Sequence, residues 1–497
     1  MRKYPSYQGG FIWDFADQAF RKDATWVFGG DYNQTDPSDG SFNCNGIVAA
    51  DRSWHPHAYE VRYQYRDILT GGSPSALQVK NEYFFRDLSD VRMVWTVERD
   101  GEAVLSGSVD ELHAGPQETV TLDLGIPMED ILSLPGTLTL TVRYFLKRAR
   151  PLQPAGEEIA YDQLLLRDNR PVMLEYADGR VGYVNISNKL LVFSGTVSAD
   201  GTAGERNTVW TVTFNKETGA LVSYTLNRTE LLSAPLLPCF DRAPVENDLG
   251  ANFPHQMKLW RNPSFKVERF QVNPMENTGV VEVDYEPIGG VAALSVFYRV
   301  YPDGSIWVEE KMSDAGGLSD APDLFRFGMR FAMPARYEEL DFFGLGPWEN
   351  YQDRRSAALL GRYHQKVADQ YHKGYVRTQE SGTHTGLRYF RVLDAAGNGL
   401  EVASAADFSA SALPWSIADL DVSAPEGDVA ELNRNGQRGV ARHPSELKPG
   451  TQTHVHIDAV QAGVGGVDSW GAWPLERYRV HAGEREFRFV LLPVLNL

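Results

Sequence analysis

The stretch Gly9-Gly10-Phe11-Ile12-Trp13-Asp14-Phe15-Ala16-Asp17-Gln18 decides how the rest of the chain is read. A glycine pair, a short aromatic and β-branched run and two acids form the pattern of a last strand of a (β/α)8 barrel where it opens onto the active-site face. Few residues precede it, whereas a complete barrel needs roughly 250. The expectation is therefore a barrel remnant over residues 1–65, with the earlier strands upstream of this chain.

Working outward, His55-Pro56-His57-Ala58-Tyr59-Glu60-Val61-Arg62-Tyr63-Gln64-Tyr65 predicts a helix begun by the proline, whose fixed φ suits a first helical turn. Beyond it the pattern changes to period two, over Ala76–Tyr83, Val91–Val97, Glu118–Leu122 and Leu138–Tyr144. Short strands at this spacing, with turns such as Arg99-Asp100-Gly101-Glu102 between them, predict an immunoglobulin-like β-sandwich over residues 66–176. From 177 to 497 strand and turn continue without a second clear linker, which predicts one large C-terminal β-sandwich of two sheets. Helix is scarce there, Arg355–Leu360 being a candidate, so the fold class is mainly β.

Composition narrows the function. The chain has 497 residues, 42% of them hydrophobic and 11% aromatic, ample for substantial cores, and a formal net charge of -18. Phosphate neutralisation needs a basic face, and no Lys/Arg cluster exceeds Lys147-Arg148-Ala149-Arg150, which argues against a nucleic-acid partner. Cys44 and Cys239 are too few for a disulfide framework or a multi-cysteine zinc site and read as unpaired thiols. No apolar run approaches the roughly 18 residues of a membrane span, and Met1-Arg2-Lys3-Tyr4 does not open a signal peptide. The compartment stays open, with the cytoplasm slightly favoured.

Asp14 and Asp17 are the tempting carboxylate pair for glycosidic chemistry, which needs two carboxyl groups roughly 5 Å apart for a retaining reaction. Three apart at a strand end they point to different sides, so a structural role orienting backbone or arginine partners is the better reading. Trp13, Asp39, Phe42, Asn45 and Trp470 make a stronger case as binding residues. A pyranose stacks its C–H face on an aromatic ring and gives its hydroxyls to amides and carboxylates, whereas the bland alternative is a core tryptophan and an Asn-Gly turn. Gly463–Gly471 is a glycine-rich loop presenting Trp470 and lacks the strand-to-helix setting of a phosphate loop. Gly344–Arg354, which includes Glu349, reads as a hinged surface loop or equally as a structural Ω-loop. His454 and His456 share a strand face without a third zinc ligand, and His55 and His57 read as surface or satisfied histidines.

Taken together, Gln8–Gln18, Gly29-Gly30-Asp31, Phe42-Asn43-Cys44-Asn45-Gly46, Ala50-Asp51-Arg52, Arg242–Asp248, Gly344–Arg354, Gln379–Gly382 and Gly463–Gly471 resemble the C-terminal half of a family 2 glycoside hydrolase of the long bacterial β-galactosidase type. They occur in family order across nearly the whole chain. The resemblance implies a barrel remnant, an immunoglobulin-like domain and a mutarotase-like sandwich. It also implies that Trp13 lines the galactose pocket and that Asn45 binds sugar and a sodium ion, which the Phe42 carbonyl also faces. Asp39 would help hold that ion, Trp470 would stack on the aglycone, and the Gly344 loop with Glu349 would pack close by. Two departures lie on the aglycone side: Glu246 stands where the family more often has Asp, and Val467 interrupts its glycine-acid pattern.

The catalytic glutamates and magnesium ligands of the family would lie before residue 1, so the implied function is a non-hydrolysing portion of a β-galactosidase acting on substrates such as lactose. Its implied partners are a barrel-bearing N-terminal portion and, in the intact enzyme, further copies in a homo-oligomer. Two alternatives are a non-catalytic carbohydrate-binding or assembly module and a mutarotase-like activity, the latter needing a histidine and a carboxylate in one cleft.

Overall fold

The computed structural model describes residues 4, 6–32, 41–170, 181–198, 207–274, 277–422, 443–468 and 471–495. The predicted site residues Asp39 and Trp470 lie outside the described residues.

Alternation of apolar and polar residues builds the smaller sandwich. In Ala76–Asn81 Leu77, Val79 and Asn81 point inward, and in Val91–Arg99 Val91, Met93, Trp95 and Val97 do so. Ile68–Ser73, Ala76–Asn81 and Thr119–Leu122 make one sheet, and Glu102–Val109, Val91–Arg99, Leu138–Leu146 and Glu158–Arg167 the other. Their inner faces share one core that includes Leu77, Val79, Met93, Leu140 and Val142.

Two nine-stranded sheets make the larger sandwich. One runs from Gly182–Asn185 at its edge through Arg326–Pro334 and Gln452–Gln461 to Ser409–Leu413. The other runs from Val267–Pro274 through Ile306–Asp314 and Arg485–Val494 to Glu339–Gly346 and Leu359–Lys366. A single core containing Phe193, Trp210, Tyr298, Phe327 and Phe489 lies between them. The chain is thus mainly β, and among the described residues no helix is long and apolar enough to cross a membrane.

The described residues among the first 65 touch both sandwiches. Pro56 begins the predicted helix, Pro56–Gln64. Its Tyr59 ring stacks on Trp348 with centroids 3.8 Å apart, and Glu60 accepts a hydrogen bond from the Ala357 amide at 3.0 Å. Its other end reaches the smaller sandwich, where the Tyr63 hydroxyl and Arg66 donate to Asp162 at 2.9 and 2.7 Å.

Three local expectations need correction. Phe11-Ile12-Trp13 forms no strand among the described residues; the nearest ladder contact is the parallel bridge between Ala16 and Val48. Among the described residues, backbone hydrogen bonds to a neighbouring segment begin only at Asp14, and Phe11, Trp13 and Phe15 are exposed. Arg355–Leu360 is not a helix: a turn leads into the strand Leu359–Lys366, whose pairing with Glu339–Gly346 overrides weak local helix preference. Gly344 does not start a surface loop. It is buried within the strand Glu339–Gly346, opposite Gly361, where a Cβ would meet the Leu387 side chain at 2.5 Å.

Candidate functional site

A cavity of about 540 Å3 opens where the N-terminal segment meets the large sandwich. Trp13, Phe42 and Asn45 line it from the first side, with Asp17, His55 and His57 behind them. Glu349, Arg354 and Tyr375 line it from the large sandwich, and Gly465–Asp468 close another side.

Backbone pairing places the first three. The Asp14 amide donates to the Asn45 carbonyl at 3.2 Å, and the Ile47 and Val48 amides donate to the carbonyls of Asp14 and Phe15 at 3.0 Å. This zips the Trp13 segment to the Phe42–Val48 segment, so both present side chains to one space. Asn45 Oδ1 is buried there without a hydrogen-bond partner. An unpartnered buried carbonyl oxygen costs about 1–3 kcal/mol, and this one keeps its accepting capacity at the cavity.

Asp14 and Asp17 part company as expected of structural acids. Asp14 is on the surface with Gln18 and the Phe15 amide, which lower its pKa in that order. Asp17 is buried and accepts from the Gly46 amide at 2.7 Å and from His55 Nε2 at 2.8 Å. His55 is therefore a satisfied interior histidine rather than a surface one, and its Nδ1 lies 2.8 Å from His372 Nε2.

Glu349 anchors the opposite wall. Its carboxylate accepts from Arg354 (2.8 Å), the Tyr375 hydroxyl (2.7 Å), the Ser381 hydroxyl (2.6 Å) and the Gly382 amide (2.6 Å). Burial alone would push its pKa up, but Arg354 and the Ser381 hydroxyl outweigh that and hold it at about 2. A carboxylate so fully engaged stays ionised and is poorly suited to donating a proton. Burial lowers the His57 pKa to about 3 and the His372 pKa to about 4, so both rings are neutral near pH 7. Burial, with Asp17 and Glu246 adding to it, pushes the Cys44 thiol up to about 12, which leaves it without nucleophilic character.

Ser41 and Arg377 line this cavity and were not singled out from sequence. Glu246 accepts from the Ser41 hydroxyl at 2.8 Å and sits 3.5 Å from Arg377, and all three line the cavity. Their positions, about 200 and 340 apart in the chain, carry no local signal that could have joined them. Gly344 is absent from the cavity lining, whereas Glu349 is present. His454 and His456 stand side by side on Gln452–Gln461, and among the described residues no group of three or more His, Cys, Asp or Glu side chains could hold a metal ion.

Three family models match the chain in succession: "Glycosyl hydrolases family 2, TIM barrel domain" over residues 1–70, "Beta-galactosidase, domain 4" over 77–167 and "Beta galactosidase small chain" over 206–491. A β-galactosidase of Halalkalibacterium halodurans is 31% identical over 98% of this chain and 46% of its own length. One of Priestia megaterium is 30% identical over 97% of this chain and 44% of its own length. A solved putative aldose 1-epimerase of Escherichia coli K12 overlaps 61% of this chain and all of its own at 10% identity, with a TM-score of 0.28 that bears on nothing further. The chain thus spans less than half the length of the curated relatives it matches. It belongs to the β-galactosidases of glycoside hydrolase family 2 and corresponds to their C-terminal half.

Proposed function

We propose that this chain supplies one wall of a galactoside site, and that a barrel-bearing N-terminal portion brings the catalytic carboxylates. The observation that carries this reading is the unpartnered buried oxygen of Asn45, zipped beside Trp13 at the edge of a 540 Å3 cavity. Trp13 presents an exposed ring on which the C–H face of galactose stacks. Asn45 Oδ1 accepts from a sugar hydroxyl or ligates a sodium ion together with the Phe42 carbonyl. Neutral oxygens of this type suit a hard monovalent cation, and the orphaned state of Asn45 Oδ1 fits such a ligand. When bound, sodium would supply a fixed positive charge for a galactose hydroxyl.

By the family resemblance Asp39 would help hold the ion and Trp470 would stack on the aglycone, both lying outside the described residues. Glu349 holds the opposite wall rigid. None of these residues is assigned to magnesium, which goes with the barrel portion. The substrates are terminal β-D-galactosides such as lactose, and the chain alone binds without hydrolysing.

The test is hydrolysis of a nitrophenyl β-galactoside by the purified chain, alone and mixed with a barrel-bearing portion from one of its relatives. Turnover in the mixture only is the expected result. Turnover by the chain alone would overturn the assignment of the carboxylates, and saturable galactoside binding with no turnover in the mixture would make the chain a carbohydrate-binding module.

A further inference from the structure

Asn45 is held in place from a distance. The residue after it, Gly46, donates its amide to Asp17 Oδ1, and a Cβ at Gly46 would sit 2.1 Å from the Asp17 backbone, so the loop and Asp17 are pressed together. The other oxygen of Asp17 accepts from His55 Nε2. With that proton on Nε2, a neutral His55 ring offers Nδ1 as an acceptor, and His372 Nε2 meets it at 2.8 Å. The side chains of His55 and Asp17 are 3% and 4% exposed, so no water competes for the bond between them.

His372 is itself fixed from the large sandwich. Its backbone amide donates to the Ser381 hydroxyl at 2.9 Å, and that hydroxyl donates to Glu349. Tyr375 packs edge-on against His372 and stacks on His55 while giving its hydroxyl to Glu349. A continuous hydrogen-bonded path therefore runs from Glu349 on one wall of the cavity to Gly46 on the other.

We propose that His372 is a positioning residue for galactoside binding, fixing the Gly46 amide and with it Asn45 through His55 and Asp17. It touches no ligand; it sets where the Asn45 oxygen stands. This inference rests on the reading of Asn45 as a sugar- or sodium-binding residue. It makes the site dependent on the docking of the N-terminal segment to the large sandwich, since neither body alone holds both ends of the relay. Partners that orient a ligating group are worth about 10- to 100-fold in affinity or activity.

The experiment compares His372→Phe with His372→Gln in the full chain. Glutamine can donate its side-chain amide N–H to His55 Nδ1, whereas phenylalanine fills the space without a polar contact. Hydrogen exchange of residues 41–48 is followed in the chain alone, and KM and kcat for a nitrophenyl β-galactoside are followed after mixing with the barrel-bearing portion. His372→Phe is expected to lose protection over 41–48 and to raise KM about 10-fold or more with kcat within about twofold, and His372→Gln to restore both.

A rise in KM that glutamine does not rescue would overturn the relay, as would unchanged KM and exchange in His372→Phe. A fall in kcat alone would also overturn it. If the wild-type mixture shows no turnover and no galactoside binding, the galactoside reading has failed instead. The relay is then judged by exchange alone: protection lost in His372→Phe and kept in His372→Gln supports it, and anything else sinks it. A cooperative melt near that of the wild type identifies variants that remain folded.

Discussion

Two buried glutamates in the large sandwich face opposite circumstances. Glu349, at the cavity wall, has four donors around its carboxylate. Glu310, between the sheets on the strand Ile306–Asp314, has both carboxylate oxygens buried without a partner. Burial pushes Glu310 well above the usual carboxylate range, and Asp458 adds to the shift, so the fold favours its neutral form. The donors at Glu349 reverse the same burial penalty. What the contrast teaches is that depth alone does not set charge in this fold; the ring of donors does, and Glu349 has such a ring where Glu310 has none.

The largest way to break the contrast is to remove the wall anchor. Glu349→Leu leaves Arg354 and three further donors without an acceptor, and loss of one partner of a buried pair costs about 3–5 kcal/mol. The expected outcome is a midpoint in urea well below that of the wild type with an unchanged slope, while Glu349→Gln, which keeps an acceptor, loses less. A wild-type midpoint for Glu349→Leu would show that the donors find water without cost.

Acid should separate the two regions next. Glu349 has a folded pKa of about 2 against an ordinary 4.5, so its contribution is complete above pH 4.5 and is lost as the pH falls towards 2. His57 and His372, neutral in the fold with pKa values of about 3 and 4 against 6.5, make the junction of the N-terminal segment and the large sandwich lose stability as the pH falls below 6.5. Glu310 runs the other way: its folded pKa is raised, so its contribution is present below pH 4.5 and is lost as the pH rises. Between pH 7 and 5, amide protection corrected for the intrinsic exchange rate is expected to fall over residues 41–65 and 345–385 and to hold or rise in the strands around Glu310. A uniform fall across the chain would contradict this order.

How much of this could be read in advance depends on distance along the chain. Strand alternation is local, so the inward-facing residues of Ala76–Asn81 and the helix begun by Pro56 were legible. Trp13 and Asn45 lie about 30 residues apart in one segment, and their residue types already suggested a sugar. Gly344-Leu345-Gly346-Pro347 reads as a turn because of its glycines, yet these glycines serve a strand. A Cβ at Gly346 would sit 2.8 Å from the Tyr363 ring, and only the tertiary pairing with Leu359–Lys366 reveals that need. The contact between His55 and His372 joins positions 317 apart, and nothing near either residue announces the other.

The smallest effect sharpens the comparison from its other side. Glu310 sits on the inner face between Val308 and Met312, opposite Val296 and Phe487 on the neighbouring strands, and neither of its carboxyl oxygens has a hydrogen-bond partner. Methionine has nearly the same length and removes both unpartnered oxygens. An unsatisfied buried polar group costs about 1–3 kcal/mol, part of which is returned by imperfect packing of the new side chain. Glu310→Met is therefore expected to stabilise the chain by about 1 kcal/mol at pH 7, visible as a higher melting temperature, and to flatten the loss of stability with rising pH. If it destabilises instead, the Glu310 carboxyl has a partner that only the hydrated protein supplies, and the interior would then resemble the cavity wall more closely than its bare packing suggests.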